Sequence, residues 1–247
     1  MQDRLSAARR VIARGLGRLE RVSAGMRARV DPSAATPGRY GALWDPPATA
    51  DAMSLILNTT DVEAFETTGR ADAERLAVHV PSGGTALDLG CGIGRVARYL
   101  APHCGLLWAV DASPRMLELA GERLAALTNV RYARCVDTRV PDVPDSSVDL
   151  AYALLVLQHL EREDAFLLLE ELRRVLKPGG RLVVTFPNLL SDTYLDAFLH
   201  YARNGEVANP ARARMYTPEE VARLLPAAGF AAELDAGVEI FAVCRPV

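Results

Sequence analysis

The spacing of hydrophobic and polar positions changes twice along the chain. Within residues 1–30, Leu5, Ile12, Leu19 and Met26 recur every seven residues, with Ala8, Leu16 and Val22 between them. That spacing keeps apolar groups on one side of a helix, so it predicts an amphipathic helix, weakened at Gly15 and Gly17. Residues 31–47 are rich in Pro, Gly and Ala and read as a linker. Helical spacing returns over residues 49–79, with a break expected near Thr67 to Gly69. Pro81-Ser-Gly-Gly84 predicts a turn.

After that turn, short β-rich runs alternate with amphipathic helices. Strands are expected at residues 85–89, 106–110, 130–135, 148–154 and 181–186. Between them, a helix begins at 94–100, and a second is expected at 114–127, with Ser113 as its cap and Pro114 at its first position. A third, at 162–176, ends at Lys177-Pro-Gly-Gly180. The rhythm implies a doubly wound α/β fold, a mostly parallel sheet with helices on both faces. Ligands on such sheets bind beyond the carboxyl ends of the strands. Two domains of unequal kind result: residues 1–47 as basic helix and linker, and 48–247 as the α/β domain with helices at its start.

Composition supports this picture and narrows the function. Half of the 247 residues are hydrophobic and 24% are charged, which suits a buried core and argues against disorder. The longest apolar run, residues 150–157, is far too short to cross a bilayer. A net charge of −3 carries no overall nucleic-acid signature. The charge is uneven, however: residues 1–30 hold eight arginines against Asp3 and Glu20. Such a helix can pack on the core or on a second copy, lie on an anionic membrane, or act as a transit segment. Cys91, Cys104, Cys135 and Cys244 are scattered without metal-ligand spacing and fit reduced thiols. No secretory h-region is visible. The expected location is the cytoplasm, with peripheral membrane contact as the alternative.

The candidate chemistry follows the strands. The first runs into Asp88-Leu-Gly-Cys-Gly-Ile-Gly94, where alternate glycines allow a sharp turn and close approach to a ligand. The spacing is GxGxG, not the GxGxxG dinucleotide fingerprint. Asp111, at the end of the second strand, can accept hydrogen bonds from both hydroxyls of a ribose; its alternative role, capping the next helix, is already filled by Ser113. Asp137, after the third strand, could accept from an adenine amino group or be a plain loop acid.

Four blocks together resemble the class I S-adenosylmethionine-dependent methyltransferases: residues 87–95, 109–116, 149–160 and 174–181. The resemblance covers roughly residues 71–247 and implies a Rossmann-like seven-stranded sheet, closed here by 229–234 and 238–244. It also implies S-adenosyl-L-methionine as cofactor and S-adenosyl-L-homocysteine as product. Carried over by motif, Asp88, Gly90 and Gly92 would contact the methionine part, Asp111 the ribose, and Asp137 and Thr138 the adenine. Leu154 and Leu155 would line the site near the methyl group. Met116 would pack on adenine or simply in the core. Cys91, Gly94 and Ala112 complete the cofactor-binding set. His159 follows the fourth strand, where family members often keep a histidine, and is the candidate general base, its alternative being a packing role. Where some relatives bind a metal through glutamates, Leu155 and Gln158 stand, so no metal is expected. The resemblance points to a small-molecule acceptor, with a lipid or quinone at a membrane, or cofactor binding without catalysis, as alternatives. Aromatics in the insert at residues 188–216 could wall the acceptor pocket or cap the core. No nucleic-acid partner is expected, because no basic patch borders the cleft.

Overall fold

The computed structural model describes residues 40–46, 48–206 and 212–247. The amphipathic pattern at 1–30 therefore lies outside the described residues. Two helices come first, α1 (Thr49–Leu57) and α2 (Val62–Ala77). The alternating core follows: β1 (Thr85–Leu89), α3 (Ala97–Leu100), β2 (Leu106–Asp111), α4 (Pro114–Arg123) and β3 (Val130–Arg134). It continues through β4 (Val148–Ala153), α5 (Arg162–Val175), β5 (Leu176–Pro187), α6 (Asp192–Arg203) and α7 (Pro218–Ala227). β6 (Phe230–Ala236) and β7 (Glu239–Pro246) close the fold.

The seven strands form one sheet in the order β3-β2-β1-β4-β5-β7-β6. All pairs from β3 to β5 are parallel, while β7 runs antiparallel to both β5 and β6. The strand order reverses between β1 and β4, which opens a crevice at their carboxyl ends. Residue alternation along each strand feeds two apolar layers. Leu87, Leu89, Ala151, Ala153 and Val184 pack with Leu168 and Leu172 of α5 and with Val221 and Leu225 of α7. Ala86, Leu107, Leu150, Tyr152 and Val183 pack on the other face with Leu76 of α2, Leu100 of α3 and Ala120 of α4.

Local chemistry sets the helix starts. Asp61, Ser113 and Ser191 each accept a backbone N–H of the first turn through the side chain, and Thr217 and Glu220 form a reciprocal capping box. The first helical stretch breaks at Asn58 to Asp61, not at Thr67 to Gly69. Asn58 takes a left-handed conformation that ends α1, and Asp61 caps α2. Gly69 lies inside α2 under the Arg95 carbonyl, where a Cβ would come within 2.3 Å of the oxygen, so its lack of a side chain serves packing and not a break. The described end of the expected linker is also packed, not spanning solvent. Gly41–Trp44 is a 3-10 turn with Tyr40 and Leu43 buried, because three large apolar groups there outweigh the Pro and Gly around them.

Candidate active site

The crevice holds a cleft of about 790 Å³, counting its open mouth. Its floor is the turn after β1. The N–H groups of Gly90 and Cys91 both donate to the Val110 carbonyl, at 2.7 and 2.9 Å, which ties the turn to β2. Gly90 and Gly92 have φ of 72° and 53°, a region that a side chain resists. A Cβ on Gly90 would lie 2.3 Å from Val156 Cγ2, and one on Gly92 would lie 2.6 Å from Ile56 Cδ1. The cradle is therefore kept open by the lack of side chains.

Asp111 sits beside this cradle and is 8% exposed. Its Oδ2 accepts from Gly92 N at 2.8 Å and its Oδ1 from Ser113 N at 2.9 Å. Burial raises its pKa, and the backbone N–H groups of Ser113, Gly92 and Ala112 oppose that rise. A carboxylate offers about four acceptor positions, so capacity remains for a diol. Ser113 caps α4 through its Oγ, leaving Asp111 to brace the turn and face the cleft.

Gly90, Gly92, Asp111, Ala112, Met116, Asp137, Leu154, Leu155 and His159 all line the cleft. Asp137 does so at φ 53° and is exposed at the mouth. Met116 is also a core residue, packed with Ile93 and Leu119. Four sequence candidates stand outside the lining. Cys91 packs in the core on the α2 side, Gly94 abuts Leu124, and Thr138 follows Asp137 in the loop. Asp88 is buried on the Ala86 side of the sheet, close to Arg95 and the Tyr152 hydroxyl. Burial pushes its pKa up to about 7, and Tyr152 and then Arg95 limit the rise.

Leu155 follows β4 at φ 63°, a costly region for a branched side chain. Its N–H donates to Oγ1 of buried Thr185 at 3.0 Å, so β5 holds the strained residue in place. A 3-10 turn, Leu157–His159, comes next. The His159 ring packs on Trp44, with centroids 4.5 Å apart and planes tilted by 58°. The Gln158 amide nitrogen lies 3.1 Å from His159 Nε2. Which of the two donates is set by the tautomer of the ring.

The roof comes from the segment before the sheet, which the motif reading missed. Tyr40, Trp44, Leu55 and Ile56 all line the cleft. The Tyr40 hydroxyl donates to Asp164 and accepts from Glu161 N, and Ser113 Oγ donates to Asp45 at 3.2 Å. The available signal was Tyr40 and Trp44 themselves, bulky aromatics in a Pro-rich stretch. Among the described residues, no cluster of three or more His, Cys, Asp or Glu is arranged to hold a metal.

Residues 87–184 match a methyltransferase domain family. The chain is 35% identical over 161 residues to an uncharacterized 37.1 kDa protein in transposon TN4556 of Streptomyces fradiae, covering 63% of this chain and 46% of that one. It is 32% identical over 156 residues to a 2-methyl-6-phytyl-1,4-hydroquinone methyltransferase of Synechocystis sp., covering 63% and 45%. The chain thus spans less than half the length of these relatives. A crystal structure of a SAM-dependent methyltransferase from Aquifex aeolicus shares the fold, with TM-score 0.55 and 23% identity over 78% of this chain and 97% of that one.

Proposed function

We propose that the chain is a class I S-adenosylmethionine-dependent methyltransferase, a reading supported by the family match over residues 87–184 and by the shared fold, and that it transfers a methyl group from S-adenosylmethionine to an oxygen or nitrogen of a small-molecule acceptor. The observation that carries this reading is the meeting of three features in one cleft: the open glycine cradle, the buried Asp111 carboxylate and the strained Leu155 after β4. The cradle suits the amino-acid part of the cofactor, which needs close backbone approach. Asp111 suits the ribose diol, and Asp137 the adenine edge.

The bound sulfonium supplies an already activated methyl group. The protein's task is therefore alignment and exclusion of water, and orientation alone can supply much of the rate. Leu154 and Leu155 give the reacting end an apolar wall. Trp44 shields His159 from one side. Gln158 contacts Nε2 of His159, and a base role would need that contact to give way to the acceptor.

A second reading places the acceptor at a lipid surface. Leu190, Leu195 and Phe198, on and just before α6, are large apolar groups exposed to solvent, and the Synechocystis relative is named for a phytyl hydroquinone. Calorimetry with S-adenosylhomocysteine tests the cofactor. A labelled methyl-transfer screen against hydroxyl, amine and quinol acceptors then tests turnover. Tight nucleoside binding without transfer to any acceptor class would favour a binding protein; failure to bind would remove the reading.

A further inference from the structure

A hydroxyl interrupts an otherwise apolar run of β5. Leu182-Val-Val-Thr-Phe-Pro187 is buried throughout, and Thr185 within it is 5% exposed. A buried hydroxyl is costly unless it has a partner. Valine would match its shape, so what the hydroxyl holds is the reason for it.

Thr185 stands one residue beyond the last β4–β5 pair, Ala153 with Val184. Past that pair the two strands no longer guide each other through their backbones, and the Thr185 side chain takes over. Its Oγ1 accepts the Leu155 N–H at 3.0 Å. Leu155 is at φ 63°, where a side chain crowds its own backbone. The direction the chain takes there has three consequences. The Leu155 side chain lines the cleft. Val156 lies against the cradle, so close that a Cβ on Gly90 would meet its Cγ2 at 2.3 Å. The Val156 carbonyl then accepts from His159 N at 2.9 Å, within the turn that carries the imidazole. Thr185 itself does not line the cleft, so whatever it does there it does through Leu155.

We propose that Thr185 is a positioning residue for the cofactor: its hydroxyl holds Leu155 in the left-handed conformation, and that conformation is the one the cofactor binds. The penalty of a left-handed leucine and the worth of one hydrogen bond are of similar size. Removing the hydroxyl therefore lets the backbone at Leu155 relax, and affinity falls by the fraction of molecules still in the competent form. Glycine takes the left-handed conformation without strain, so a glycine at this position needs no holder.

The ligand's identity rests on the methyltransferase reading, and the test keeps the two apart. Hydrogen exchange of the Leu155 amide in the empty protein needs no ligand: T185V should speed it about tenfold or more, and T185S should not. Calorimetry with S-adenosylhomocysteine follows on wild type, T185V, T185S, L155G and the L155G/T185V double variant, each shown to be folded by urea unfolding. T185V should weaken binding about fivefold or more, and T185S should stay within about twofold of wild type. In the L155G background, adding T185V should change affinity by less than about twofold. An equal loss in both backgrounds would mean that valine only loosens the fold, and wild-type affinity in T185V would mean that Leu155 needs no holder. Either result overturns the proposal, as does an unchanged Leu155 amide. Failure of the wild-type chain to bind S-adenosylhomocysteine would instead remove the methyltransferase reading, and the amide exchange would still judge the hold of Thr185 on Leu155.

Discussion

Single residues carry most of the proposed chemistry, and the carboxylate of Asp111 has two tasks. It braces Gly92 and the start of α4, and it offers its remaining acceptor capacity to the cleft. Asp111→Ala should weaken S-adenosylmethionine binding by about 2 kcal/mol or more, the scale of hydrogen bonds to a charged group. Calorimetry on both proteins measures this, and unchanged affinity in a folded variant removes Asp111 from the site. His159 is judged by turnover: His159→Ala should lower transfer to a hydroxyl acceptor roughly 10²-fold, the lower end for general-base catalysis, with cofactor affinity held. Near wild-type turnover would leave positioning alone. The motif residues that line the cleft could be placed there from the sequence because most stand at or just after a strand's carboxyl end. Asp88 shows the limit of that logic. It sits in the same motif, yet strand alternation turns it to the Ala86 face, so it lies outside the cleft lining.

Among the elements, the carboxyl ends of β1, β2 and β4 were readable from alternation and turn residues, whereas the break between α1 and α2 was not. There a left-handed asparagine and an aspartate cap decided the boundary, while Gly69 serves a close packing contact with Arg95, distant in sequence. The loop between β3 and β4 is tied to α5 by Glu171, which accepts from Val140 N at 2.8 Å and pairs with Arg174 and Arg139. Arg174 and the Val140 N–H outweigh the burial of this carboxyl and hold its pKa down at about 2. Its contribution is therefore complete above the unfolded value near 4.5 and is lost as pH falls towards 2. Glu171→Gln should cost about 3 kcal/mol at pH 7, and the gap to wild type should close on acidification through that window. Urea unfolding at several pH values checks both the size and the sign. A gap that widens in acid would mean that the ion pairs do not set the stability of this loop.

The sheet of the whole molecule was expected from the βαβ rhythm, and its closing antiparallel pair from the family resemblance. The roof was not, because Tyr40 and Trp44 lie in a stretch whose composition reads as linker, while Tyr40 and Trp44 find side-chain partners far along the chain, at Asp164 and His159. For residues 1–30, the basic and apolar spacing motivates an accessory role: their deletion should leave S-adenosylhomocysteine affinity intact and change self-association or binding to anionic liposomes. Loss of affinity with an intact core would place that segment in the site. The roof itself has a consequence in time. The floor of the cleft is backed by seven paired strands, whereas the roof is held by apolar packing on α2 and α4 and by side-chain contacts at Asp164, Glu161, Ser113 and His159, with no strand pairing of its own. Elements held this way open at lower free energy than the sheet behind them. Where product release waits on such a segment, the cadence of repeated turnover is the cadence of uncovering. Hydrogen exchange should then show amides of residues 40–57 slowing on addition of S-adenosylhomocysteine while those of β4 and β5 do not change. Trp44→Ala should shorten the residence of that product in stopped-flow displacement, and an unaltered residence time would mean that the roof does not govern exit.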